Sequence, residues 1–112
     1  MTKKVLLICL LSILFLSFSS DLFALDEDLG KSIFKNQCAG CHINGGNIIR
    51  RSKNLKISSL KKNGIDSPEA IAKIASQGIG IMDGYKEKLG DDGDQIVAKW
   101  IWEQAQKAWT QE

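Results

Sequence analysis

Two cysteines and a histidine stand within five residues, Cys38-Ala39-Gly40-Cys41-His42, and His42 is the sole histidine of the 112-residue chain. Cysteines three apart sit one above the other on a helical turn, so both sulfurs can face the same way. Thiols so placed can each bond a vinyl group on one edge of a porphyrin, while the histidine that follows reaches the iron from below. This is the C-x-x-C-H pattern of covalent haem attachment, which makes haem c the expected cofactor and His42 its proximal ligand. No second histidine is present, so a further axial ligand has to be of another type. Met82 is the only methionine besides the initiator. A thioether there would favour ferrous iron and a higher reduction potential than a second imidazole. With His42 and Met82 both on iron, neither oxygen nor a substrate reaches the metal unless a ligand leaves, which points to electron transfer. The plainer alternative for Met82 is a gap-filling core methionine, but it lies in a glycine-bounded segment and not on a helical stripe.

Rival readings of the motif need residues this chain lacks. A structural zinc site takes four ligands, and two cysteines with one histidine leave a vacancy. A thioredoxin-like pair belongs beside a βαβ unit, for which there is no strand pattern. Catalysis finds no distal histidine, nucleophile–base pair or substrate pocket signal, so the chain reads as an electron-transfer protein and not an enzyme. A haem-based small-ligand sensor is the reading from a different class, and it requires Met82 to detach.

The chain opens with Lys3 and Lys4, an apolar run from Val5 to Phe18, and Leu22-Phe23-Ala24 before a small-residue cut. That is the layout of an export signal, and the run is shorter than the roughly 20 residues of a membrane span. The expected organisation is a cleaved signal peptide over 1–24 and one domain over 25–112, with an uncleaved anchor as the alternative. A lipoprotein reading of Cys9 is a weaker alternative still, because Leu7 and Ile8 precede it instead of small residues. Removing Lys3, Lys4 and Asp21 with the leader leaves 13 basic and 12 acidic residues. Such balance gives no reason to expect a nucleic-acid partner. The charges are unevenly spread, however. Eight basic residues and no acid fall between Lys31 and Lys62 (Lys31, Lys35, Arg50, Arg51, Lys53, Lys56, Lys61, Lys62), and acids outnumber bases from Asp66 onward. A dipole of this kind can orient a protein toward a charged partner; a merely solvated surface is the alternative.

The elements that must position these groups read as helices. Asp26 to Ala39 places Leu29, Ile33, Phe34 and Cys38 at helical spacing behind three acids that suit a helix start. Gly45 to Asn54 has no apolar period and reads as loop. Ile57 to Lys62 is a short helix ended by Asn63-Gly64. Asp66 or Ser67 caps a helix with Pro68 in its first turn and Ile71, Ile74 and Ala75 on one face. Gly78 and Gly80 end it and open the Met82 loop. A last helix runs from Asp91 or Asp92 to about Trp109, burying Ile96, Val97, Trp100 and Ile101. No stretch alternates long enough to predict a strand.

Across nearly all of residues 25–112 the chain resembles cytochrome c6, a class I c-type cytochrome. The resemblance is carried by Gly30-x-x-x-Phe34, the haem motif, Gly45-Gly46-Asn47, Lys53-Asn54-Leu55, the run Asn63 to Ile71, and Val97-Ala98-Lys99-Trp100-Ile101. It implies an all-α, small class I cytochrome c fold, with about four helices around one covalent haem. It also implies that Gly30 lets the first and last helices cross closely, with Phe34 and Trp100 at the contact. By the same resemblance the protein would be a soluble mono-haem carrier in a thylakoid lumen or bacterial periplasm. It would be a monomer, docking transiently to the cytochrome b6f complex as donor and to photosystem I or a terminal oxidase as acceptor. Two departures qualify this. Met82-Asp83-Gly84-Tyr85 lacks the proline that follows the family's methionine, which implies a more mobile loop, and Asp83 adds a carboxylate that favours ferric iron. Ile74 stands where photosynthetic members carry glutamine. Both changes imply a lower potential, so a low-potential c6-like protein of another lumenal or periplasmic pathway is the second reading.

Overall fold

The computed structural model describes residues 2–110, with the side chains of residues 15–21 excepted. Met1, Gln111 and Glu112, which bound the expected leader and domain, lie outside the described residues.

Helix α1 spans Thr2–Ile33 and passes into a single π-helical turn, Phe34–Cys38. The predicted first helix, 26–39, is therefore the C-terminal part of a longer one. Leucine, isoleucine and phenylalanine fill the upstream run, and no glycine or proline precedes Gly30 to interrupt it. This upstream part packs on little: Val5, Leu6, Leu14 and Leu22 are each at least 60 % exposed. No helix among the described residues is long and apolar enough to cross a membrane.

The remainder wraps a small core. Helix α2 is Ile57–Lys62, and α3 is Pro68–Gln77, where the Ser67 hydroxyl accepts the Ala70 N–H as an N-cap. A two-residue antiparallel pair follows, β1 (Gly78–Ile79) and β2 (Met82–Asp83), in the register Gly78 opposite Asp83 and Ile79 opposite Met82. Such strands are too short to show alternation, which is why the sequence reads as strandless. One-turn α4 (Lys86–Leu89) and the long α5 (Gly93–Gln106) complete the chain. Helix α5 stops earlier than the predicted Trp109. The Trp109 N–H bonds to Gln104 O and the Ala108 N–H to Ala105 O, the two bonds of a Schellman end. Ala108 stands in the left-handed position usually given to glycine, so the signal for this stop is missing from the sequence.

Helices α1 and α5 cross at Gly30. A Cβ on Gly30 would fall 2.6 Å from the Trp100 Cβ and 3.1 Å from the Ile96 carbonyl. Phe34 meets Trp100 there with ring centroids 5.0 Å apart, the contact that the resemblance implies. Val97, Ala98, Ile101 and Ala105 of α5 join Leu60, Ile71, Ala72, Ala75 and Leu89 in the core. Ile96, expected in the buried stripe, is only partly buried, since it lies at the margin of the α1 crossing.

Candidate haem site

The motif is built on the end of the π-helical turn. Both the Cys41 N–H and the His42 N–H reach back to the Cys38 carbonyl, at 3.2 and 3.0 Å, so the pentapeptide closes in one tight bend. Cys38 is half-buried and Cys41 exposed. Burial pushes the Cys38 thiol up to about 11, because an apolar surround disfavours the thiolate. Apolar surroundings for a sulfur that has to meet a vinyl carbon suit a thioether better than they suit a charged ligand.

His42 is buried, with Nδ1 2.7 Å from the Gly46 carbonyl. A carbonyl only accepts, so Nδ1 carries the proton and Nε2 is the nitrogen left to bind a metal. A ring held through its second nitrogen in this way has both its tautomer and its orientation set. The carbonyl is brought round by a left-handed pair, Asn44 and Gly45 (φ 49° and 75°). Beyond it, the loop owes its order to three amides. Asn47 Oδ1 accepts the Ile49 and Arg50 N–H groups while its Nδ2 donates to Lys53 O. Asn54 bridges Arg51 O and the Lys56 N–H. Asn63 donates to Ser52 O and Ser59 O and accepts the Lys53 ammonium. These asparagines line the site without having been singled out for chemistry. Their signal is the recurrence of asparagine in a run without apolar period, where such side chains bond nearby backbone.

Met82 is carried by the β1–β2 hairpin. Gly78 (φ 78°) and Gly84 let that hairpin fold onto the end of α3: a Cβ at Gly78 would lie 2.4 Å from Met82 O, and one at Gly84 2.5 Å from Ser76 O. The Tyr85 N–H closes the turn on Ala75 O at 2.9 Å. Glycine contacts and the two-residue ladder seat this proline-free segment against the end of α3.

The structure brings all four predicted site residues to one cavity of about 470 Å³, lined by Cys38, Cys41, His42 and Met82. Most of the remaining wall is aliphatic and includes Leu55, Leu60, Ile65, Ile71, Ile74 and Ile101. Its volume lies within the range of cofactor sites, and an apolar wall with few placed polar groups is their usual make-up. The donor set suits haem: a neutral imidazole, a thioether and two thiols at one rim. Among the described residues no group of three or more His, Cys, Asp or Glu side chains is placed to hold a bare metal ion. Arg50 and Lys53 are the cations of the lining and Asp83 its carboxylate.

Comparison with known proteins gives a consistent picture. A family model described as cytochrome c oxidase, cbb3-type, subunit III, matches residues 26–101. A cytochrome c6-like protein of Nostoc sp. (strain PCC 7120) is 52% identical over 80 residues, covering 71% of this chain and 72% of the relative. The crystal structure of cytochrome c6B from Synechococcus sp. WH8102 superimposes with a TM-score of 0.73 at 64% identity, over 75% of this chain and 96% of that one. That of cytochrome c6C from Synechococcus sp. PCC 7002 does so at 0.67 and 48% identity, over 70% and 96%. The chain therefore belongs to the cytochrome c6 family, with its class I cytochrome c fold, and is a haem electron carrier, not an enzyme, with one covalently bound haem c.

Proposed function

We propose that this chain is an exported, soluble electron shuttle whose haem is tethered by Cys38 and Cys41 and whose iron is held by His42 and Met82. The observation that carries the reading is the convergence of these four residues on one mainly aliphatic cavity. Bound there, the haem supplies a one-electron ferric/ferrous couple. The chain's part would be to hold the imidazole by its Nδ1 proton, to keep water out with isoleucine and leucine, and to present Met82 from the hairpin. Export would remove residues 1–24. Asp26, Glu27 and Asp28 would then stand in the first turn of the shortened helix, where its dipole favours them.

The donor in this reading is the cytochrome b6f complex and the acceptor photosystem I or a terminal oxidase, in a thylakoid lumen or a periplasm. The surface supports transient docking of this kind. Ile49, Ile79 and Ile81 line the cavity and are each at least 58 % exposed, with Arg50 and Lys53 beside them. An apolar patch framed by basic side chains fits a short-lived, electrostatically steered complex. A second reading, a low-potential carrier on another pathway, is favoured by one observation: aliphatic Ile74 lines the cavity where the resemblance places glutamine in photosynthetic members.

Spectroelectrochemical titration of the holoprotein tests both. The near-infrared sulfur-to-iron band is expected in the ferric state, and its absence removes Met82 as ligand. A potential high enough to accept electrons from b6f supports the shuttle reading, and one too low supports the second. Carbon monoxide binding to the ferrous protein would favour a sensor instead.

A further inference from the structure

Helix α5 ends without glycine, yet both Ala108 and Trp109 lie in the left-handed region (φ 54° and 57°). A left-handed residue with a Cβ crowds the following carbonyl, and a helix end needs only one. The second turns the Trp109 indole back over the molecule. Its ring packs on Phe34 and Trp100, with centroids at 5.3 and 5.8 Å, and lies flat against Gly45, where a Cβ would fall 2.3 Å from the indole Cε2. Its Nε1–H donates to the Leu55 carbonyl at 3.1 Å. The Leu55 N–H in turn donates to Gly45 O at 2.7 Å. The indole therefore clips together the two ends of the 45–55 loop, and the next carbonyl along that loop, Gly46 O, accepts the His42 Nδ1 proton.

We infer that Trp109 is a positioning residue of the haem centre. By locking Gly45 to Leu55 it holds the Gly46 carbonyl against His42 and so fixes the orientation and electron donation of the imidazole. The inference rests on His42 being the proximal ligand. A bond to the second ring nitrogen raises ligand basicity and stabilises ferric iron, so loosening the clip shifts the potential upward.

The test uses holoprotein with Trp109→Phe, which keeps a ring over Gly45 but loses the bond to Leu55, and Trp109→Ala, which loses both. Solvent exchange of the His42 Nδ1 proton is followed by nitrogen-edited NMR in the ferrous state, together with the reduction potential. Loss of a bond worth about 1 kcal/mol predicts exchange about fivefold faster in the Phe variant, more in the Ala variant, and a potential above wild type in both. Unchanged exchange and potential in a correctly ligated Phe variant overturn the inference, whatever happens to melting temperature; it decides alone if the Ala variant fails to retain haem. Failure of the His42 reading itself would show earlier, as the absence of an iron-bound imidazole in wild type.

Discussion

At the scale of single residues the site separates two sulfurs by environment and gives one imidazole a fixed role. The Cys38 thiol, held neutral up to about 11 by burial, should resist alkylation in the haem-free chain at pH 8, while exposed Cys41 is labelled readily. Raising pH toward 11 should bring Cys38 into reaction, because a raised acid pKa delays the reactive thiolate. Mass mapping of the two sites against pH checks this, and equal labelling at pH 8 contradicts it. Met82 is the complementary case. Met82→Ala removes the thioether from the cavity while leaving the hairpin backbone to form. The holoprotein should lose its near-infrared band, bind carbon monoxide when ferrous, and show a lower potential, since a thioether favours ferrous iron.

At the scale of elements, function depends on two places where backbones meet over glycine. At the α1–α5 crossing, Gly30→Ala gains up to about 1 kcal/mol of helix propensity, but its Cβ would sit 2.6 Å from the Trp100 Cβ. Overpacking of that kind costs about 1–3 kcal/mol, so the clash wins and thermal unfolding should occur several degrees lower. Gly40→Ala, with nothing within 4 Å of its Cβ, should melt near wild type. Gly78→Ala strikes Met82 O and strains a left-handed φ. It should therefore disturb methionine ligation more than overall stability, seen as a weakened near-infrared band at a modest change in melting temperature. These elements were unequally legible in sequence. Ser67-Pro68 announces α3 because a hydroxyl and a fixed φ act locally, and Cys-x-x-Cys-His announces the site because its chemistry requires contiguous residues. The hairpin and α4 are too short for periodicity to register. The turn at Ala108-Trp109 contradicts local preference, and beyond its Schellman bonds to Gln104 and Ala105 it is held by contacts with Gly45, Phe34 and Leu55, far off in sequence. Asn47, Asn54 and Asn63 read as loop or helix-end residues, but their bonds to backbone groups such as Lys53 O, Arg51 O and Ser52 O appear only when the loop is closed.

For the whole molecule the deciding feature is where the charge sits relative to the cavity. The acid-free stretch from Lys31 to Lys62 folds so that Arg50 and Lys53 line the cavity, while Arg51 and Lys56 line an adjoining depression of about 420 Å³ with Ile43 and Ile48. The acids from Asp66 onward belong to other elements, apart from Asp83 beside Met82. A near-neutral protein with one basic face gains little affinity from that face, but gains orientation during encounter, a rate effect that salt screens over about 10 Å at 0.1 M. The bimolecular rate of electron transfer to an acidic partner surface should therefore fall as ionic strength rises. Reversing one cation, Arg51→Glu, should slow transfer severalfold at low salt and hardly at all at high salt. The reduction potential should stay near wild type, because Arg51 lies on the depression and not on the cavity itself. Stopped-flow traces across a salt series, with Glu69→Lys on the exposed first turn of α3 as a control, distinguish local steering from a simple change of net charge. A rate indifferent to salt, or a gain with Glu69→Lys that mirrors the loss with Arg51→Glu, would show that the basic face does not guide docking.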